Sequence, residues 1–144
     1  MTSKYFKNNE FQGWFDFLHP ELLPKLDAFR EGWGAPVMIS PAPGAVGRRA
    51  PSSVKSQHNV TLWGTTRAVD IMPIGMKTKA DFKKAVEIAK LVGFSGIGVY
   101  PDWSPQPGLH VDVRPGRAQG QPALWSAFKV NGRQEYFAID KALF

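Results

Sequence analysis

The sequence predicts an α+β domain in which a small antiparallel sheet is flanked by helices. Apolar residues recur at helical spacing in two stretches, near 20–32 and 79–92. Short apolar runs bounded by Pro and Gly supply the strands, and an Asn-Gly pair near the C-terminus marks a hairpin. These elements do not alternate as β–α–β, which argues against a parallel sheet. With 144 residues, 43% of them hydrophobic, the chain is read as a single domain over 1–144.

Each element has its own justification. Residues 1–18 form an aromatic arm with Tyr5, Phe6, Phe11, Trp14, Phe15 and Phe17. Pro20 and Glu21 then open a helix over 20–32 carrying Leu22, Leu23, Leu26 and Phe29, which Gly32 and Gly34 end. Residues 36–40 read as a short buried strand, and Pro41 to Pro51 is a Pro/Gly/Ala/Arg loop of the length that usually serves function. Residues 67–72 read as a central strand. Lys79 to Val92 is the clearest helix, with Phe82, Ala85, Val86, Ile88, Ala89 and Val92 on one face. Two more strands follow at 96–100 and 109–114, and a hairpin occupies 124–139 around Asn131-Gly132. In the strand 109–114, Leu109, Val111 and Val113 alternate with His110, Asp112 and Arg114, so one face is apolar and the other chemically active.

Composition narrows the chemistry. There is no cysteine, which excludes disulfides, thiolate zinc sites and a cysteine nucleophile. Any metal must rest on Asp, Glu and the 3 histidines. The 18 Lys and Arg against 12 Asp and Glu leave a net charge of +6, a field that suits polyanionic partners or simply solubility. The basic residues are dispersed, which counts against nucleic acid. No secretory signal and no membrane-inserting run is visible, so the expectation is a product made soluble in the host cytoplasm.

The most informative stretch is Ser56-Gln-His58, Gly64, Ala68-Val-Asp70 and, later, Leu109-His110-Val-Asp112. Two imidazoles and a carboxylate are a sufficient protein ligand set for a catalytic zinc, which keeps a position open for water. Bound zinc makes that water a nucleophile near neutral pH and polarises a carbonyl, so one further acid/base group completes a hydrolase. The plain alternative is that His58 caps a loop, Asp70 ends a strand and His110 is a satisfied structural residue.

The arrangement Ser-x-His, Gly, Ala-x-Asp, then Gly-Ile-Gly-Val-Tyr and His-Val-Asp-Val-Arg resembles the M15 group of zinc peptidases over roughly residues 36–114. That group includes D-alanyl-D-alanine carboxypeptidases and dipeptidases and the L-alanyl-D-glutamate endolysins of bacteriophages. The likeness is greatest to its short peptidoglycan-cutting branch. It implies the fold shared by hedgehog and D-Ala-D-Ala peptidases, Zn2+ as cofactor, and His58, Asp70 and His110 as ligands, with Ser56 supporting the first ligand loop.

Three departures from the family pattern bear on the site. Extra residues, Asn59-Val-Thr-Leu-Trp63 among them, lengthen the stretch between His58 and Asp70. Pro107 stands where many members carry an acid/base carboxylate; Asp112 is the nearest replacement and Asp102 the runner-up. Asp112 could equally orient a ligand or pair with Arg114. The family's carboxylate-binding arginine has its counterpart in the loop 41–51, where Arg48 or Arg49 fits, and Arg67 is a further candidate. Trp63, Tyr100 and Trp103 are placed to wall a cleft, and His19 is left without a role.

The resemblance thus implies a zinc-dependent peptidase acting on bacterial peptidoglycan, as a phage endolysin or a virion-associated lysin, with other virion proteins as further partners. The competing expectation is a virion or wall-binding module that keeps the fold without catalysis.

Overall fold

The computed structural model describes residues 2–144. Two short 3₁₀ turns, Asn8–Phe11 and Phe15–Phe17, precede helix α1 (Leu22–Trp33) and strand β1 (Val37–Ile39). A one-turn helix α2 (Val60–Trp63) leads to β2 (Ala68–Pro73), α3 (Lys79–Leu91), β3 (Gly96–Tyr100) and β4 (Gly108–Asp112). The chain closes with β5 (Ala123–Val130), β6 (Arg133–Phe137) and α4 (Asp140–Leu143).

The helices form where the apolar spacing predicts. Helix α1 buries Leu22, Leu23, Leu26, Phe29 and Trp33, and ends at Gly34 in the left-handed region that glycine adopts freely. Helix α3 begins in a capping box: Thr78 Oγ1 accepts the Asp81 N–H, and Asp81 Oδ2 accepts the Thr78 N–H. Its buried face, Phe82, Ala85, Val86 and Ala89, meets α1 against one side of the sheet. The sheet supplies Val69, Ile71, Ile97, Val99, Leu109 and Val111 to that core. Truncating a fully buried side chain such as Leu26 to alanine costs roughly 2–5 kcal/mol.

The sheet order is β1-β2-β4-β3-β5-β6. Four pairings are antiparallel, as expected, but β3 and β5 run parallel, so the sheet is mixed. The reason is topological. Both edges of β4 are taken, by β2 and β3, so the chain leaving β4 cannot fold back beside it. Asp112 at the end of β4 lies opposite Gly96 at the start of β3. The chain therefore passes the start of β3 and enters β5 alongside it, with Ala123 beside Gly96. The hairpin β5–β6 turns at Asn131 and Gly132, both with positive φ, which is the turn chemistry the sequence predicts.

The aromatic arm is integral to the domain. Phe6, Phe11 and Leu18 are buried in the core. Gln12 donates to the carbonyls of Ser40 and Ala42, and Trp14 lies so tightly over Gly47 that a Cβ there would overlap its ring. The arm thereby pins the loop 41–51 to the sheet.

Candidate metal centre

Register builds half of the site. Asp70 on β2 lies opposite His110 on β4, His110 opposite Gly98 on β3, and Gly98 beside Trp125 on β5. The neighbouring row is Ala68, Asp112, Gly96 and Ala123. Because strand side chains alternate, these rows share the face opposite the helices. The two glycines of Gly-Ile-Gly make room for large groups on that face. A Cβ on Gly96 would stand 2.2 Å from Asp112 Oδ2, and one on Gly98 2.4 Å from the Trp125 indole. Trp125 thus lies across Gly98, its ring centroid 5.1 Å from that of His110.

A loop builds the other half. His58 precedes α2, and its backbone is tied to the 41–51 loop: Arg48 N–H donates to the His58 carbonyl and Val60 N–H to the Arg48 carbonyl. Its own N–H donates to Ser56 Oγ at 3.2 Å. The extra residues after His58 fold into α2, capped by Asn59, whose Oδ1 accepts from Thr61 and whose Nδ2 donates to the carbonyls of Pro51 and Val54. The lengthened spacing is thus absorbed locally, and His58 still reaches Asp70.

The donor set is specific. His58 Nδ1 lies 2.6 Å from the Val46 carbonyl, which can only accept, so Nδ1 carries a hydrogen. His110 Nε2 lies 2.7 Å from Asp112 Oδ2, a carboxylate that likewise accepts. The inner nitrogens, His58 Nε2 and His110 Nδ1, both face Asp70 Oδ1, at 3.1 and 3.3 Å. With the outer nitrogens protonated, two neutral imidazoles would turn lone pairs towards a carboxylate oxygen. Only a cation between them, a metal ion or an added proton, makes that arrangement favourable. Ligand atoms of His58, Asp70 and His110 all lie within 4.8 Å of one another, and all three residues are buried. The group could hold a metal ion, and two imidazoles with one carboxylate fit zinc.

Electrostatics follow from the same contacts. Burial works against a charged His110, but its hydrogen bonds to Asp112 and Asp70 outweigh that and raise its pKa to about 9 in the metal-free protein. Burial would raise the Asp70 pKa; hydrogen bonds from His110 and His58 hold it below the ordinary carboxylate range. Asp112, fully buried, is likewise held low against burial by His110 and Arg114. Arg114 donates to it from Nε at 2.9 Å and Nη2 at 2.6 Å, and through its backbone N–H.

The cluster opens into a cleft of about 650 Å³. Its walls include Arg48, Lys55, Ser56 and Gln57 on the loop side, and Tyr100, Asp102, Trp103, Arg114 and Trp125 on the sheet side. Tyr100 stacks on Trp103 with centroids 4.2 Å apart, and its oxygen accepts the Trp125 Nε1 hydrogen at 3.0 Å. Burial raises the Tyr100 pKa above that of a free phenol; the Trp125 N–H opposes this, while Tyr136 and Asp70 reinforce it.

A family model described as Peptidase M15 matches residues 3–112. The chain belongs to the peptidase M15 family. No curated protein and no solved structure matches it significantly. Membership makes this a peptidase-type hydrolase, and the M15 match takes in the aromatic arm while ending at Asp112. Arg114, Trp125, Lys129, Gln134 and Tyr136, which also line the cleft, lie beyond it.

The structure disposes the remaining candidate residues of this M15 chain unevenly. Arg48 lines the cleft, its Nε donating to the Gly44 carbonyl. Arg49 turns away and lies over Trp14 and Phe17. Arg67 stacks on Trp63 at 3.9 Å and lines a separate pocket of about 260 Å³ with His19 and Arg114, outside the cleft. Asp102 lines the cleft, and its Oδ2 accepts the Lys129 N–H. Asp112 lies beneath the cleft wall, with both oxygens engaged by His110 and Arg114. Trp125 is not singled out by the sequence, although two glycines on one strand face already signal that a large side chain covers them.

Proposed function

We propose that the protein is a zinc-dependent peptidase that hydrolyses amide bonds in the peptides of bacterial peptidoglycan. The observation that carries this is the pair of inner imidazole nitrogens converging on Asp70 Oδ1 while both outer nitrogens are committed elsewhere. His58, Asp70 and His110 would hold the ion. Zinc bound there supplies Lewis-acid activation of water and of the scissile carbonyl.

The chain's own groups do the rest. Asp112 fixes the His110 ring and tautomer, since its carboxylate holds Nε2 and leaves Nδ1 facing Asp70. The Val46 carbonyl does the same for His58. Asp102, with one oxygen not taken by Lys129, is the carboxylate in the cleft suited to proton transfer. Ser56 steadies the His58 backbone, and Tyr100 and Trp103 wall the cleft. Arg48, Lys55 and Lys129 have no carboxylate partner among the described residues, which suits peptides rich in free carboxylates. The overall positive charge favours an anionic wall, and a phage endolysin or virion-borne lysin is the setting we favour.

Purified protein supplied with zinc should release new amino termini from peptidoglycan and stop on chelation. His58→Ala and His110→Ala should each abolish stoichiometric zinc; unchanged zinc content would sink the ligand assignment. A second reading is a wall-binding module without catalysis, favoured by Pro107 at the usual acid/base position and by the full engagement of Asp112. Co-sedimentation with peptidoglycan without amide cleavage would establish it instead.

A further inference from the structure

We propose that Tyr100 is a further catalytic residue, whose phenol, held in place by Trp125, donates a hydrogen bond to the scissile carbonyl oxygen as negative charge collects there. The proposal rests on the peptidase reading above and adds a role that the metal cluster does not fill.

An indole N–H can only donate, so in the Trp125–Tyr100 contact the phenol oxygen is the acceptor. One lone pair is thereby occupied; the phenol's own hydrogen has Tyr136, which lines the same cleft, as its neighbouring partner, and can turn from it towards a substrate acceptor. Stacking on Trp103 fixes the ring plane. The position follows from register: Tyr100 is two residues beyond Gly98 on the same strand face, and Trp125 bridges from the His110 ring to the Tyr100 oxygen. Trp125 therefore touches both, and the Tyr100 hydroxyl shares the cleft with His110. A phenol is protonated at neutral pH, and burial reinforces that, so it serves as a donor throughout.

A rigid donor in a water-poor wall is worth most where charge develops during reaction. When the oxygen of water bonds to the carbonyl carbon, the π pair moves onto the carbonyl oxygen, and that oxygen becomes the acceptor for Tyr100. The C–N bond then breaks, a proton derived from the water ends on the leaving amine, and Tyr100 keeps its own proton. Arg48 and Lys55 are less suited to this role, since the first is anchored to Gly44 and the second is an exposed lysine. Trp125 acts through Tyr100 and is a positioning residue.

The test uses the zinc-loaded full chain. Tyr100→Phe should lower kcat about 100-fold while KM stays within about threefold and zinc content is unchanged. By calorimetry it should weaken a phosphinate peptide, which mimics the tetrahedral carbon, about 100-fold. Binding of the amine-side product, which lacks the carbonyl, should change less than about threefold, because Tyr100 has nothing to donate to there. Trp125→Phe keeps a ring against His110 but loses the N–H; it should lower kcat about tenfold, and the double variant should be no slower than Tyr100→Phe alone. A Tyr100→Phe enzyme within threefold of wild type, equal weakening of both ligands, or multiplying effects in the double variant would overturn the proposal. If the wild type cleaves nothing yet Tyr100→Phe selectively weakens the phosphinate, the peptidase reading falls and the donor assignment stands. A wild type that neither cleaves peptide nor binds phosphinate overturns both.

Discussion

His58 and His110 face the same carboxylate oxygen, yet they are held by opposite means. His110 sits mid-strand in a row fixed by backbone pairing on both sides, and its outer nitrogen meets a carboxylate that is itself gripped by Arg114. His58 sits on a loop, and its outer nitrogen meets a backbone carbonyl, that of Val46. That carbonyl also accepts from Thr66 Oγ1, and the segment carrying it is pinned by the aromatic arm. One imidazole is positioned by regular structure and side-chain charge, the other by irregular backbone and distant packing. The sheet side should therefore respond to single polar substitutions, and the loop side to changes in packing far from the cluster.

The largest expected effect is on the sheet side. Asp112→Ala leaves His110 without its acceptor and Arg114 without its partner, and should cost about 3 kcal/mol or more in denaturant unfolding. Next comes the loop side: Trp14→Ala removes the ring over Gly47 and the support for Arg49, and should cost about 2 kcal/mol. Hydrogen exchange should show the Trp14 variant opening residues 41–59 while β2, β3 and β4 stay protected; uniform loss of protection would erase the distinction between the two sides. Asp112→Asn is gentler, retaining shape and an acceptor oxygen, and should weaken zinc binding roughly 10- to 100-fold. Thr66→Val, which removes one donor from the Val46 carbonyl, should change zinc affinity by no more than about threefold, since the His58 contact persists.

The smallest effect lies in the scaffold, remote from both histidines. The Asp81 carboxyl is held below its ordinary pKa by the backbone N–H groups of Thr78 and Lys77. A lowered native pKa means the unfolded chain binds the proton more readily, so the stabilisation is complete above the unfolded carboxyl's pKa and fades as pH falls through the native value. Asp81→Asn should lower stability slightly at neutral pH and hardly change it in acid, flattening the acid limb of the stability curve, as thermal melts across pH can check.

How much was legible in the sequence follows the same division. The alternation in 109–114 placed His110 and Asp112 on one strand face because a strand's period needs no tertiary information. The helices were legible because α1 and α3 bury continuous apolar stripes. Which side chains cover Gly96 and Gly98 was hidden, since Asp112 and Trp125 arrive from β4 and, through the parallel pairing, from β5. That pairing depends on which sheet edges remain open, which local propensity does not encode. Arg48, Arg49 and Arg67 read alike as basic residues near the site; only packing against Trp14 and Trp63 separates the two that turn away. Helix α2, one turn long and fixed by the buried Asn59, carried too little periodicity to be anticipated.

The grip of the aromatic arm on the 41–51 loop bears also on how the molecule comes into being. Gln12 and Trp14 hold the segment whose Val46 carbonyl receives His58, while Gly98, opposite His110, pairs in turn with a strand that begins at Ala123. Contacts this far apart in the chain close late, because the loops between them lose the most freedom on closing. A nascent chain still lacking its final strands therefore carries His58, Asp70 and His110 but not the Trp125 side of the cleft.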